Sequence, residues 1–168
     1  EALPDQIDNL YEEININGFQ IDRLNYRFIE TAQPIIYESI LFSIRKIATV
    51  TSSQMYFPLY YLNRNQKKIK ADKDRKNEVI IHFAYTQIDS ITYQIPEEYQ
   101  IKSLPESQEF ASDFGSYRTI ITSQGDSILY IRKQLQYDGI YPAKQYDEFI
   151  EFKNKIIKAD QATVVLTK

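Results

Sequence analysis

Apolar and polar residues alternate with period two through most of this chain and change to helical spacing near its two ends. In LPDQIDNLYEEI, residues 3–14, the side chains of Ile7, Leu10, Tyr11 and Ile14 share one helical face. A short N-terminal amphipathic helix is predicted, with Pro4 tolerated in its first turn and Asp5 and Asp8 at the positive end of the helix dipole. Asn17-Gly18 then marks a turn that could close a hairpin between Ile14–Ile16 and Phe19–Ile21, a reading that competes with the helix for Ile14.

From Ile35 to Val50 one face carries Ile36, Ile40, Phe42, Ile44 and Ala48, which predicts a long half-buried strand. Met55 to Leu62 is aromatic and interrupted by Pro58, a pattern suited to an edge strand or an irregular crossing. Residues 63–78 carry a single large apolar residue, Ile69, among charges of both signs and read as a solvated loop. VIIHFAY and ITYQI then read as two strands joined near Gln87 to Asp89.

The clearest hairpin pairs Tyr117–Ser123 with Ser127–Leu135 across Gln124-Gly125-Asp126. Its strands are apolar on both faces, so a second layer must cover it. Residues 142–159 supply that layer, since Tyr146, Phe149, Ile150, Ile156 and Ile157 recur at helical spacing behind Pro142. The tail ATVVLTK has the β-branched content of a closing strand. The strand faces predict a core of Ile40, Phe42, Ile44, Ile81, Phe83, Ile91, Tyr93, Ile95, Ile121, Leu129 and Ile131.

With 168 residues the chain fits one domain, residues 1–168, and a net charge of −3 gives no reason to expect nucleic acid or an anionic membrane. No apolar run approaches the ~20 residues that span a bilayer. The chain opens on Glu1 and its single methionine is Met55, which reads as a piece processed or excised from something longer. Cysteine is absent, which removes disulfides, thiolate metal sites and thiol nucleophiles.

Candidate chemistry is sparse. His82, the single histidine, lies mid-strand without an evident orienting partner, so a histidine metal cluster cannot be built and a surface or structural role is expected. The carboxylates Glu12-Glu13, Glu97-Glu98, Glu106, Glu109, Asp147-Glu148 and Glu151 could in principle cleave glycosides if two faced each other across a sugar, but they fall on turns or a polar helix face. Lys67, Lys68, Lys70, Lys73, Arg75 and Lys76 are diluted by acids and lack interleaved aromatics, which argues for a loop and not a nucleic-acid site. Tyr56, Phe57, Tyr60 and Tyr61 cluster around Pro58 and form the candidate interaction surface, for a neighbouring domain or for a stacked glycan. No catalytic, metal or cofactor-binding residue is assigned, and no cofactor is expected.

Ordered landmarks mark the C-terminal half: Ile95-Pro96 and Tyr99, Leu104-Pro105, Phe114-Gly115-Ser116-Tyr117, Gly139 with Tyr141-Pro142, Tyr146 with Phe149 and Phe152, and Lys158-Ala159-Asp160. Over residues 78–168 the chain resembles an uncharacterised β-rich domain that ends bacterial envelope proteins carrying a transglutaminase-like core and an N-terminal β-sandwich. The resemblance implies a periplasmic or cell-surface location and a noncatalytic accessory role beside a Cys-dependent core that this chain does not contain. The predicted fold is mainly β: an antiparallel, sandwich-like domain with a C-terminal helix on a sheet. A glycan- or ligand-binding module and a carboxylate hydrolase are the competing functions.

Overall fold

The structure, a computed structural model, describes residues 3–14, 18–45, 47–62, 68–72 and 74–168. Asn17, Lys67 and Lys73, on which part of the predicted turn and basic cluster rests, lie outside them. Contacts divide the chain into two compact units, residues 1–49 with 61–63, and residues 50–60 with 64–168.

The first unit contains helix α1 (Leu3–Glu13) and the antiparallel strands β1 (Phe19–Ile29) and β2 (Ile35–Ile44). The ladder runs from Phe19 opposite Ile44 to Ile29 opposite Ile35, with a bulge between Ile21 and Arg23. The extra residue places Phe19, Ile21, Leu24, Tyr26 and Phe28 on the face shared with Ile44, Phe42, Ile40, Glu38 and Ile36. Leu10 and Ile14 cover the base of that face, packing with buried Phe19 and Leu24 and half-buried Ile40, Phe42 and Ile44. Beyond Leu24 the same face is open, with Phe28 59% and Ile36 66% exposed.

The second unit is built on two four-stranded antiparallel sheets. One has the order β6 (Tyr85–Gln94), β10 (Ser127–Gln136), β9 (Gly115–Gln124), β8 (Glu109–Ser112). The other has the order β3 (Thr49–Val50), β4 (Gln54–Pro58), β12 (Thr163–Thr167), β7 (Gln100–Ser103). A two-stranded ribbon joins β5 (Val79–Ile81) to β11 (Gly139–Tyr141), and α2 (Tyr146–Ala159) follows a 3-10 turn at Ala143–Gln145. Helix α2 buries Ile150, Phe152, Ile156 and Ile157. Phe152 and Ile156 join Phe114, Tyr117, Val79 and Ile81 in one core cluster. The two sheets meet where the Phe57 ring lies 5.2 Å from Tyr93 and the Tyr93 hydroxyl donates to the Leu59 carbonyl at 2.6 Å. The mainly β, sandwich-like fold with a C-terminal helix is as expected from the sequence.

Several local expectations are corrected. The long strand over 35–50 ends at Ile44. Gln87 to Asp89 is no turn but the interior of β6, because it pairs continuously with Gln134 to Arg132 on β10. Strand β4 is an inner strand, and Pro58 is accommodated as its last residue, opposite Thr163. Phe83 is 77% exposed: β5 stops at Ile81 and β6 starts at Tyr85, so residues 82–84 interrupt the alternation that would have turned its ring inward. On β10 the inner face is Ile128, Tyr130, Arg132 and Gln134, while Leu129 and Ile131 are only half-buried. Of the remaining predicted core, Ile81, Ile95 and Ile121 are buried and Ile40, Phe42, Ile44, Ile91 and Tyr93 half-buried.

Gly115 begins β9 at φ +148°, and a Cβ there would sit 2.0 Å from the Leu135 carbonyl oxygen. Only glycine permits this approach of β9 to β10. The segment before β5 is less free than its composition suggests. Asn154 of α2 accepts from the Ile69 amide at 2.9 Å and donates to the Ile69 carbonyl at 3.0 Å. Arg75 donates to the Asn77 and Glu78 carbonyls at 2.9 and 3.0 Å and stacks over Tyr146.

Candidate functional site

The principal polar constellation of the second unit is internal. Arg132, 3% exposed, projects from the middle of β10 toward Asp160, which caps the end of α2. Its Nε donates to Asp160 Oδ1 at 2.8 Å and its Nη2 to Oδ2 at 3.1 Å. Its Nη1 reaches Asp89 Oδ2 at 3.2 Å and Gln87 Oε1 at 3.3 Å on β6, and its Nη2 also donates to Gln134. The Tyr117 hydroxyl donates to Asp160 Oδ1 at 2.6 Å, and the Tyr60 hydroxyl to Asp89 Oδ2 at 3.1 Å. The guanidinium carbon lies 4.6 Å from the Tyr60 ring centroid and 5.3 Å from that of Tyr117. Gln134 in turn donates to the Tyr85 hydroxyl at 2.6 Å.

Burial dominates the electrostatics. Desolvation raises the Asp89 carboxyl above its ordinary range despite the opposing Arg132 charge. It also raises the phenols of Tyr60 and Tyr117, and that of Tyr130 to about 12. Burial alone would lower Arg132, but its hydrogen bonds to Asp160 and the charge of that carboxylate hold it above the usual value. The chemistry this favours is a fixed ion-pair network joining β10, β6, α2 and the segment after β4. Its donors and acceptors are spent on one another. The exception is the Tyr130 hydroxyl, buried beside the Tyr117 phenol without a well-formed hydrogen bond.

The sequence-predicted surface is dispersed. Tyr60 is 1% and Phe57 6% exposed, so neither ring can meet a partner: Phe57 fills the space between sheets and Tyr60 lies under Arg132. Tyr56 is half-buried on β4 and donates to Gln54. Tyr61 belongs to the first unit, where its hydroxyl donates to the Ile47 carbonyl at 3.0 Å. His82 is exposed beside Phe83, and Glu97, Glu98, Glu106, Glu109, Asp147 and Glu148 are exposed. A shallow cleft of about 250 Å³ between β8 and α2 is lined by Phe110, Asp113, Glu148, Glu151, Phe152 and Lys155 among others. Lys155 bonds Glu151 at 2.8 Å and holds that carboxyl below its ordinary range, the reverse of what a general acid needs. Among the described residues no group of acids and histidine is placed to hold a metal ion.

Among these exposed polar residues the second unit also presents several large apolar side chains outward. Ile80 and Ile140 face each other across β5 and β11, 54% and 67% exposed. Phe83 lies near them, its carbonyl accepting from Gln136 at 3.2 Å, and Tyr137 follows Gln136 at 45% exposure. Of these four only Phe83 was expected in the core, because it continues the alternation of Val79 and Ile81.

The profile of DUF3858, a domain of unknown function with a solved structure, matches residues 53–166, which is most of the second unit. The chain belongs to the DUF3858 family. No curated protein matches it. Among solved structures, it is similar to the crystal structure of a putative protease from Parabacteroides distasonis ATCC 8503, at 12% identity and a TM-score of 0.57. That match covers 70% of this chain but only 24% of the other, so the likeness is one of fold and is confined to a part of the longer protein. Within the DUF3858 region lie all the residues of the Arg132 network, Tyr60, Tyr85, Gln87, Asp89, Tyr117, Gln134 and Asp160.

Proposed function

We propose that this DUF3858 chain is a noncatalytic accessory module of a larger envelope protein with a transglutaminase-like core, and that it docks on a neighbouring domain of that protein. The observation that carries the reading is the exposure of four large apolar side chains, Ile80, Ile140, Phe83 and Tyr137, on and beside the β5–β11 ribbon. A neighbouring domain of the same polypeptide is the occupant we favour, because the Parabacteroides protein extends the fold to a chain about four times the matched length. The internal closure of the Arg132 network supports a structural role for its charges. Periplasmic or cell-surface placement is part of the same proposal and rests on the sequence resemblance. The glycan alternative has lost its main support, since Phe57 and Tyr60 turn inward.

The test is hydrogen exchange of residues 79–85 and 136–141 in the 168-residue chain and in the longer protein from which it comes. Docking predicts slower exchange of both segments in the longer protein. Equal exchange would remove docking through this patch.

A further inference from the structure

The hairpin of the first unit exposes a strand edge that, among the described residues, its own chain leaves unprotected. In a two-stranded sheet each strand keeps one row of N–H and C=O groups unpaired. The two edges differ sharply in sequence. Strand β1 carries Asp22, Arg23 and Arg27 and a bulge, which are devices that discourage further pairing. Strand β2, IIYESILFSI, is ten residues long with one charge, Glu38, and no proline or glycine. High β propensity, low charge and no breaker make a segment that pairs with its own kind.

The side chains along the hairpin point the same way. Tyr26, Phe28, Ile35, Ile36, Tyr37 and Leu41 are 40% to 66% exposed, on both faces of the ribbon past the reach of α1. An uncovered two-stranded ribbon is only marginally stable in water, whereas a wider sheet with a shared apolar face is not so limited. Four of these six, Ile35, Ile36, Tyr37 and Leu41, lie on β2 itself, where a strand added along its edge would pack beside them.

We infer that β2 pairs antiparallel with β2 of a second copy of this chain, across a two-fold axis normal to the sheet at Ser39. Antiparallel partners share a face, so a symmetric pairing must be centred on a residue. Centring on Glu38 would set two carboxylates opposite each other. Centring on Ile40 would set Tyr37 against Ser43 and Leu41 against Ser39. Centring on Ser39 sets Tyr37 against Leu41 and Ile36 against Phe42, and opposes Glu38 to Ile40. This register covers exposed apolar side chains with one another and lengthens the sheet to four strands.

Sedimentation of the 168-residue chain across a concentration series reads the proposal directly, with a doubling of mass expected as concentration rises. Leu41→Lys, an exposed position that keeps the hairpin ladder, should abolish the doubling. Directly opposed residues lie about 4.5–5.5 Å apart at Cα, within disulfide range, so Ser39→Cys should give a covalent dimer on mild oxidation. A monomer at every concentration would overturn the proposal and leave the β2 edge to a strand of another protein. So would a dimer that survives Leu41→Lys unchanged and that Ser39→Cys fails to cross-link. Neither result touches the proposed docking patch of the second unit, which lies on and beside β5 and β11.

Discussion

Arg132 grips Asp160 with two hydrogen bonds, Nε to Oδ1 at 2.8 Å and Nη2 to Oδ2 at 3.1 Å, and so fastens the middle of β10 to the end of α2. Both side chains are nearly inaccessible, at 4% and 5%. Two charges taken out of water contribute little net stability when paired, but separating them leaves one uncompensated. Asp160→Ala should therefore lower unfolding free energy by about 3–5 kcal/mol, and Arg132→Met, which abandons Asp160 and Asp89 together, by a similar amount. Urea denaturation of the two variants measures both. A loss below about 1 kcal/mol in either would mean that water or a rearranged partner replaces the pair.

Around that pair, two tyrosines of similar burial should behave differently. Tyr117 donates to the Asp160 carboxylate, and removing a hydrogen bond to a charged group costs about 1.5–3 kcal/mol. The Tyr130 hydroxyl is buried without a well-formed partner, so deleting it relieves an unsatisfied group. Tyr117→Phe should destabilise, while Tyr130→Phe should be neutral or slightly stabilising. Equal losses in denaturant midpoint would show that the two phenols act as one hydrogen-bonded unit.

The network was hard to read from the chain, for a physical reason. In ILYIRKQLQ the alternation is apolar at Leu129, Ile131 and Leu135 and mixed at Tyr130, Arg132 and Gln134, so transfer energies alone turn the first set inward. The fold takes the other choice because Asp160, Asp89 and Gln87 converge on Arg132 and satisfy its donors, and that convergence is long-range. The β9–β10 hairpin and α2 were legible because their signals are local: Gly125 at a tight turn, and helical spacing behind Pro142. Phe57 and Tyr60 misled by the same logic as Leu129. Their aromatic cluster beside a proline looks like an edge until β12 and β3 are seen on either side of β4.

Asp89 makes the fold sensitive to pH. Its folded carboxyl titrates above its unfolded value, burial outweighing the attraction of Arg132. The protonated form is thus favoured in the native state, and the stability it lends is fully present below the unfolded pKa of about 3.9. It is lost as pH rises through the raised folded value. Asp89→Asn removes this titration, so the difference in unfolding free energy between wild type and variant should shift with pH from about 4 upward and then level off. A difference that is flat across mildly acidic pH would show that Asp89 is not the titrating group.

Two glycines separate close approach from conformation. Gly125 adopts φ +59° with no atom within 4 Å of where a Cβ would sit, whereas Gly115 combines φ +148° with the 2.0 Å approach to the Leu135 carbonyl. Gly125→Ala should cost about 1–2 kcal/mol, the penalty of a left-handed residue with a Cβ. Gly115→Ala must in addition push β9 from β10, and should cost clearly more. Thermal denaturation of the pair ranks them, and a smaller loss for Gly115→Ala would mean that this strand end opens freely.

A buried and an exposed aromatic of the second unit should respond differently to truncation. Phe114 is 1% exposed, its ring 4.7 Å from Tyr141 and 5.3 Å from Phe149, while Phe83 is 77% exposed. Phe114→Ala empties a packed site and should cost about 3–5 kcal/mol. Phe83→Ala removes little that the isolated chain uses, and an exposed substitution typically stays within about 0.5 kcal/mol. If the patch of Phe83, Ile80 and Ile140 seats a neighbouring domain, the same Phe83→Ala change should restore fast hydrogen exchange to residues 79–85 and 136–141 in the longer protein while leaving the isolated chain's unfolding unchanged. A large loss in the isolated chain would assign Phe83 to folding, and unaltered exchange in the longer protein would place the docking contact elsewhere.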